Sequence, residues 1–368
     1  MSSPFSVFPL KYTRSVKEVI SLRRFLAFLL ILLSLLLAAC GQSREAENYS
    51  LTVWYVEGEP LAPVFAQLAE EYNRARGKNS LSVTLRAWED SERMLNTLQS
   101  SAPPALILCN HAFAFTLEEL GLLKDSGFAL SAYPNWLLER ADCVGRGFYP
   151  IGHALPLLCT REPLPASLTA LADAAARYGR ETGLPGLYVE QFAPLFYQAL
   201  LDEGTEFGAD PERDRYSEHY VNLYNAIMRT AFDRGLAWGA AVYAPYRLES
   251  SVTLVDRALD GFTIVPLSEE PLFAEGHGLA VTVRDTRMRR ALPDFLRWLT
   301  QPGRMGSAAL RAGLVPAVQE PLSPTTPLEI ALSALRERPL HLPDAECRYY
   351  VNRSAFEDDF LAALALLH

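Results

Sequence analysis

Tyr243-Ala244-Pro245-Tyr246-Arg247 gathers two phenols and a guanidinium around a proline. Loop aromatics beside an arginine stack on apolar ring faces and hydrogen-bond hydroxyls, which is the chemistry of holding a polar small molecule. Bond-making chemistry has no comparable pattern. The six histidines stand apart, with no HxH, HExxH or Cys/His cluster, so a zinc site has no ligand set. No GxSxG, P-loop or Rossmann glycine run occurs. Acids are abundant, so a glycosidase-type carboxylate pair stays open, but it has no motif behind it. The expectation is a binding protein with no catalytic residue, no metal and no cofactor.

Cys40 is the other group with reactive chemistry. Lys11, Arg14, Lys17, Arg23 and Arg24 precede an uncharged apolar run over residues 25–39. A basic lead, a short apolar stretch and small residues at its end read as a secretory signal, since a span needs about 20 apolar residues. Leu37-Ala38-Ala39-Cys40 resembles the bacterial lipoprotein box. The resemblance implies that residues 1–39 are removed and that Cys40 is lipidated. The protein would then be exported and anchored at the periplasmic or extracellular face of the cell envelope. Residues 40–49 are small and polar and read as a tether.

The lead segment holds five of the 34 basic residues and one of the 43 acids, which leaves the remaining 329 residues at −13. That is enough chain for two domains, and an acidic body argues against nucleic acid, whose phosphates need a basic face. Cys109, Cys143, Cys159 and Cys347 remain besides Cys40, without CxxC spacing. An exported location permits disulfides, and Cys143–Cys159 is the pair expected here.

The elements alternate. Residues 51–55 read as a buried strand, and Leu61, Val64, Phe65, Leu68 and Tyr72 recur at helical spacing. Residues 81–87 form a second strand, Ser91 caps a short helix, and residues 105–108 form a third strand. Strand–helix–strand–helix–strand predicts a parallel sheet flanked by helices. Thr116-Leu117-Glu118-Glu119 has capping-box spacing and should open another helix. Ser167 should cap a helix through Tyr178, and helices follow at 192–200 and 214–234. Strands are expected at 237–243, 263–266 and 278–283. Leu292, Phe295, Leu296 and Leu299 share a helix face, and Ser354 should cap a last helix.

This order resembles the family 1 extracellular solute-binding proteins, the sugar-type receptor lipoproteins of bacterial ABC importers. The matching residues are Leu51-Thr52-Val53-Trp54 with Glu71-Tyr72-Asn73, Pro104-Ala105-Leu106-Ile107, Leu120-Gly121-Leu122-Leu123-Lys124-Asp125, Gly276-His277-Gly278-Leu279, Phe295-Leu296-Arg297-Trp298 and Gly313-Leu314-Val315-Pro316. Ala105 stands where the family usually has aspartate, and Leu158-Cys159-Thr160-Arg161 replaces its tyrosine–asparagine pair.

The resemblance implies a two-lobed α/β periplasmic-binding-protein-like fold, each lobe a mostly parallel sheet flanked by helices. Lobe 1 would take residues 50–155 and 262–315, and lobe 2 residues 156–261 and 316–368. A monomer would close on a small polar solute, a sugar or oligosaccharide, and deliver it to ABC permease subunits. Cleft residues come from loops at the C-terminal ends of parallel strands. That logic selects Tyr55, Glu57, Asn110, His111, Tyr149, His153, Glu190, Trp238, Tyr243, Arg247, Glu275 and His277. Trp54, Phe192 and Tyr197 read as core, Glu57 and Glu275 also fit solvated loop acids, and Trp238 suits core or cleft equally. Two other readings remain: a surface lipoprotein of this fold serving adhesion or sensing, and an exported hydrolase.

Overall fold

The computed structural model describes residues 50–76, 81–100, 104–124, 147–204, 217–239, 243–269, 271–282, 286–301, 303–343 and 348–367. Cys40, the apolar lead, Cys143 and Cys347 lie outside the described residues. Among the described residues, no helix is long and apolar enough to cross a membrane.

The first sheet is built as the alternation predicts. β1 (Ser50–Val56), α1 (Ala62–Arg76), β2 (Ser82–Trp88), α2 (Ser91–Ser100) and β3 (Leu106–Asn110) make two consecutive parallel crossovers. Leu51 and Val53 bury one face of β1 against Phe65, Leu68 and Tyr72 of α1. The Asn73 side chain fixes α1 on β2: it accepts from the Val83 backbone N–H at 2.8 Å and donates to the Val83 carbonyl at 2.9 Å. Two helix starts differ from expectation. Asp90, not Ser91, caps α2, accepting from Arg93 N at 2.7 Å. α3 (His111–Glu119) begins well before Thr116, because the Asn110 side chain already caps it through Phe113 N at 2.9 Å. Thr116 lies inside that helix and bonds back to the Ala112 carbonyl; threonine and glutamate three apart occur within helices as well as at their starts.

β4 (Phe148–Ala154) leaves the first sheet and, after Leu155 alone, β5 (Pro156–Thr160) enters the second. There follow α4 (Leu168–Thr182), β6 (Leu187–Val189), α5 (Ala193–Asp202), α6 (Glu218–Phe232), β7 (Leu236–Trp238), β8 (Tyr246–Ser250) and β9 (Thr263–Pro266). Ser167 caps α4 through Ala170 N as expected, and Gly183 closes it in the left-handed conformation, φ 71°. β10 (Leu272–Phe273) follows, and β11 (Glu275–Val281) returns to the first sheet. α7 (Thr286–Leu299), α8 (Arg304–Arg311), β12 (Val315–Pro316), α9 (Pro327–Leu335), β13 (Leu340–His341) and α10 (Arg348–Ala365) complete the chain.

The first sheet runs β12-β4-β11-β3-β1-β2 and the second β7-β6-β8-β5-β9, with β10 and β13 paired apart from both. Each sheet is mixed. Parallel neighbours surround β1 and β6, while the strands that carry the chain between lobes, β4, β5 and β11, pair antiparallel. β9 lies in the second sheet against β5, so the return to lobe 1 falls at β11 and not at residue 262; a four-residue strand does not encode which sheet it joins. α10 starts at Arg348, which puts Ser354 within the helix and not at its cap. Phe360 and Leu364 of α10 pack with Phe196 of α5 and Ile227 of α6 beneath the second sheet. A further cluster joins Leu157 and Cys159 of β5 to Leu310 of α8 and Val315 of β12, so apolar packing continues from one lobe into the other.

Candidate ligand-binding site

A cavity of about 240 Å³ opens where the two sheets meet. Gly58 and Pro60 from the loop after β1, with Glu275 and His277 of β11, line its first-lobe side. Glu190 and Gln191 after β6, Ser250 at the end of β8 and Thr253 after it, and Arg353 of α10 line the other. The crossing residues Ala154, Leu155 and Pro156 border it too. β1, β6 and β8 all run toward this cavity with their C-terminal ends, where side chains and free backbone groups leave a sheet.

The polar groups here are organised by one another. Glu190 accepts from Ser250 N at 2.7 Å and from the Thr253 hydroxyl at 2.6 Å. Glu249 is fully buried between Arg247, 2.5 Å away, and Arg257, 3.2 Å away, which makes its burial tolerable. Glu275 accepts from Arg353 at 2.7 Å, and Arg353 also donates to the Gln191 side-chain oxygen. His277 Nδ1 lies 3.1 Å from Glu59 Oε1. Burial pushes the His277 imidazole down, but the carboxylates of Glu59 and Glu275 outweigh it and hold its pKa above the usual histidine value.

Glycine is required beside this histidine. The β11–β4 register shifts between His277 and Gly278, and a Cβ at Gly278 would stand 2.3 Å from the Tyr149 carbonyl oxygen. Bulges of this kind re-aim side chains next to sites.

Of the twelve candidate binding residues, Glu190, Glu275 and His277 are brought together at the cavity. Arg247 reaches its edge through Glu249 and is half-buried over the Tyr188 ring. The others stand elsewhere. Tyr149 and His153 are buried in β4, because helices and loops cover both faces of the first sheet and leave that strand no solvent side. His111 is buried against Phe115 and Phe148. Burial pushes His111 down to about 4 and His153 down to about 3. Asn110 is used as the α3 cap. Tyr55 packs on the first-lobe core and Trp238 on the second-lobe core. Glu57 is exposed, and the Glu59 side chain is the one that reaches His277. The Tyr243–Arg247 group divides: Tyr243 is 69% exposed, while Tyr246 and Arg247 belong to β8. Cys159 is a buried free thiol, pushed up to about 12 by burial and then by the Glu249 charge. Cys143, its expected partner, lies outside the described residues.

No family model and no curated protein matches the chain. Solved structures do. Maltose-bound T. maritima MalE3 superposes with a TM-score of 0.69 at 13% identity, over 87% of this chain and 95% of its own. The cyclic alpha-maltosyl-1,6-maltose binding protein from Arthrobacter globiformis gives 0.64 at 16% identity, over 87% and 95%. An ABC transporter solute-binding protein from Agrobacterium radiobacter, in complex with ribitol, gives 0.61 at 14% identity, over 87% and 94%. The chain has the two-lobed solute-binding-protein fold. At these identities the likeness carries the fold and no more.

Within that fold, the expectation from sequence missed Gln191, Thr253 and Arg353. Gln191 and Thr253 follow β6 and β8, so strand ends were the right signal. Arg353 was hidden by the misplaced helix start, which left it in a loop before Ser354 when it sits in the second turn of α10.

Proposed function

We propose that this protein is a lipid-anchored solute-binding receptor of an ABC-type importer. It captures a small neutral polyhydroxyl solute, a sugar or oligosaccharide, by closing its lobes and delivers it to a membrane permease. Binding, not turnover, is its task. The observation that carries the reading is the cavity between the sheets, lined from both lobes by Glu190, Gln191, Glu275, His277 and Arg353. A solute touching both lobes favours the arrangement in which they meet, and so shifts the population toward it. The carboxylates at the cavity are already matched by arginine, histidine, hydroxyl or backbone donors. A solute there meets hydrogen-bonding groups and no surplus charge, which suits hydroxyls. The fold neighbours that bind maltose, a cyclic maltosyl-maltose and ribitol support the same class. Anchoring through Cys40 would hold the receptor close to its permease and raise the effective concentration of the pair.

Thermal-shift screening against neutral saccharides and polyols, with amino acids and inorganic anions alongside, tests this reading. A ligand at a hundred times its Kd stabilises by about 2.7 kcal/mol, a rise of roughly 4 °C for a chain of this size. A stabilising neutral carbohydrate or polyol supports the proposal. A shift confined to amino acids or anions overturns the solute class, and no shift with any of them overturns the receptor reading. Metabolic labelling with a clickable fatty acid tests the anchor: Cys40→Ser should lose the label, and equal labelling would remove the lipid from the account.

A further inference from the structure

Arg353 stands on α10, whose Phe360 and Leu364 are packed into the second-lobe core. One turn further along, Glu357 accepts from Ala193 N at 2.6 Å and so fastens α10 to the start of α5. This leaves the Arg353 guanidinium over the cavity, bonded on one side to Gln191, directly after β6 of the second sheet. On its other side it donates to Glu275 at 2.7 Å. Glu275 opens β11, opposite Ala154 in the first sheet. The other ion pairs near the cavity, Glu249 with Arg247 and Arg257 and His277 with Glu59, each stay within one lobe, whereas this one spans from lobe to lobe. Its side chains are 26% and 14% exposed, so solvent screens it less than a surface pair.

We propose that Arg353 is a positioning residue that draws the lobes together in the unoccupied protein by bridging Gln191 and Glu275, and thereby sets the affinity for solute. The proposal rests on the receptor reading for its affinity arm only. Where a solute binds the closed arrangement, its apparent Kd is the intrinsic value divided by the closed fraction. Any interaction that raises that fraction tightens binding without touching the solute. A charge-assisted, partly shielded pair of this kind should change the closed-to-open ratio about five- to tenfold.

The experiment is small-angle neutron scattering of the full chain in contrast-matched detergent, with and without saturating solute from the thermal-shift screen, paired with calorimetric titration. Arg353→Ala should raise the radius of gyration of the solute-free protein, leave that of the saturated protein unchanged, and weaken binding by the ratio of the two closed fractions, about two- to fivefold where the scattering shows both arrangements populated. Glu275→Gln, which leaves α10 untouched, should do the same if Arg353→Ala folds poorly, and Arg353→Lys should restore part of the effect. Raising the salt should open the solute-free wild type and not the variants. Solute-free scattering identical in wild type and variants would overturn the proposal, even with weakened binding, since Arg353 would then be a solute contact only. If no solute binds but the variants still open the solute-free protein, the bridge stands and the receptor reading falls.

Discussion

His277 Nδ1 and Glu59 Oε1 are 3.1 Å apart, with side chains 10% and 7% exposed, although 218 positions separate them in the chain. The pair ties the loop after β1 to β11 beside the solute cavity. Its strength depends on His277 carrying a proton, and the raised pKa of that group has a definite sign in folding. The stabilisation is fully present below the unfolded histidine value of about 6.5 and is lost as pH rises through the folded value. Glu59→Gln should bring the His277 titration down in NMR and cost about 1–2 kcal/mol of stability near pH 6. An unmoved titration would show that the carboxylate is not what holds the proton.

His111 and His153 act in the opposite direction. Buried neutral, with pKa values pushed down to about 4 and about 3, they resist protonation in the folded chain but accept it freely when unfolded. Stability is therefore complete above about pH 6.5 and falls as pH drops toward those values, by up to about 1.4 kcal/mol per histidine per pH unit. Urea unfolding from pH 7 down to pH 4.5 should show this decline. His111→Phe, placed between Phe115 and Phe148, should remove part of it. A flat profile over that range would contradict the assignment.

Gly278 tests the bulge that sets His277 and Glu275 in place. Gly278→Ala puts a methyl group against the Tyr149 carbonyl and the Pro150 Cα, both backbone atoms that cannot rotate away. The expected cost is about 1–3 kcal/mol or more in chemical unfolding. Solute affinity should fall with it, because the carboxylate and imidazole at the cavity shift with β11. Unchanged stability would mean that β4 and β11 separate there more easily than their pairing implies.

Much of the fold was legible because it rests on local pattern. The apolar run of β1, the alternation over 81–87, the stripe Phe65, Leu68, Tyr72, and the Ser167 cap are each written in a few neighbouring residues. What failed was long-range or shared between grammars. Thr116 and Ser354 have cap chemistry but sit within helices whose starts are decided upstream. β9 reads as a strand, yet its pairing with β5 depends on where the chain crosses between lobes. The site follows the same division. Glu190, Glu275 and His277 lie at or beside strand ends and could be found by that rule. Tyr149 and His153 could not be excluded, since coverage of β4 on both faces comes from helices far along the chain. Arg353 reaches the cavity only through α10, so its role depends on a contact 78 residues away from Glu275.

A neutral polyhydroxyl solute bound between the lobes should draw them together. Small-angle scattering of the protein with and without a saturating sugar or polyol tests it most directly. The solute should lower the radius of gyration, and Glu190→Ala, which removes the acceptor holding Ser250 and Thr253 at the cavity, should weaken the solute dependence at least tenfold, about 1.4 kcal/mol. A solute that binds tightly while leaving both the scattering and the Glu190 variant indifferent would contradict it.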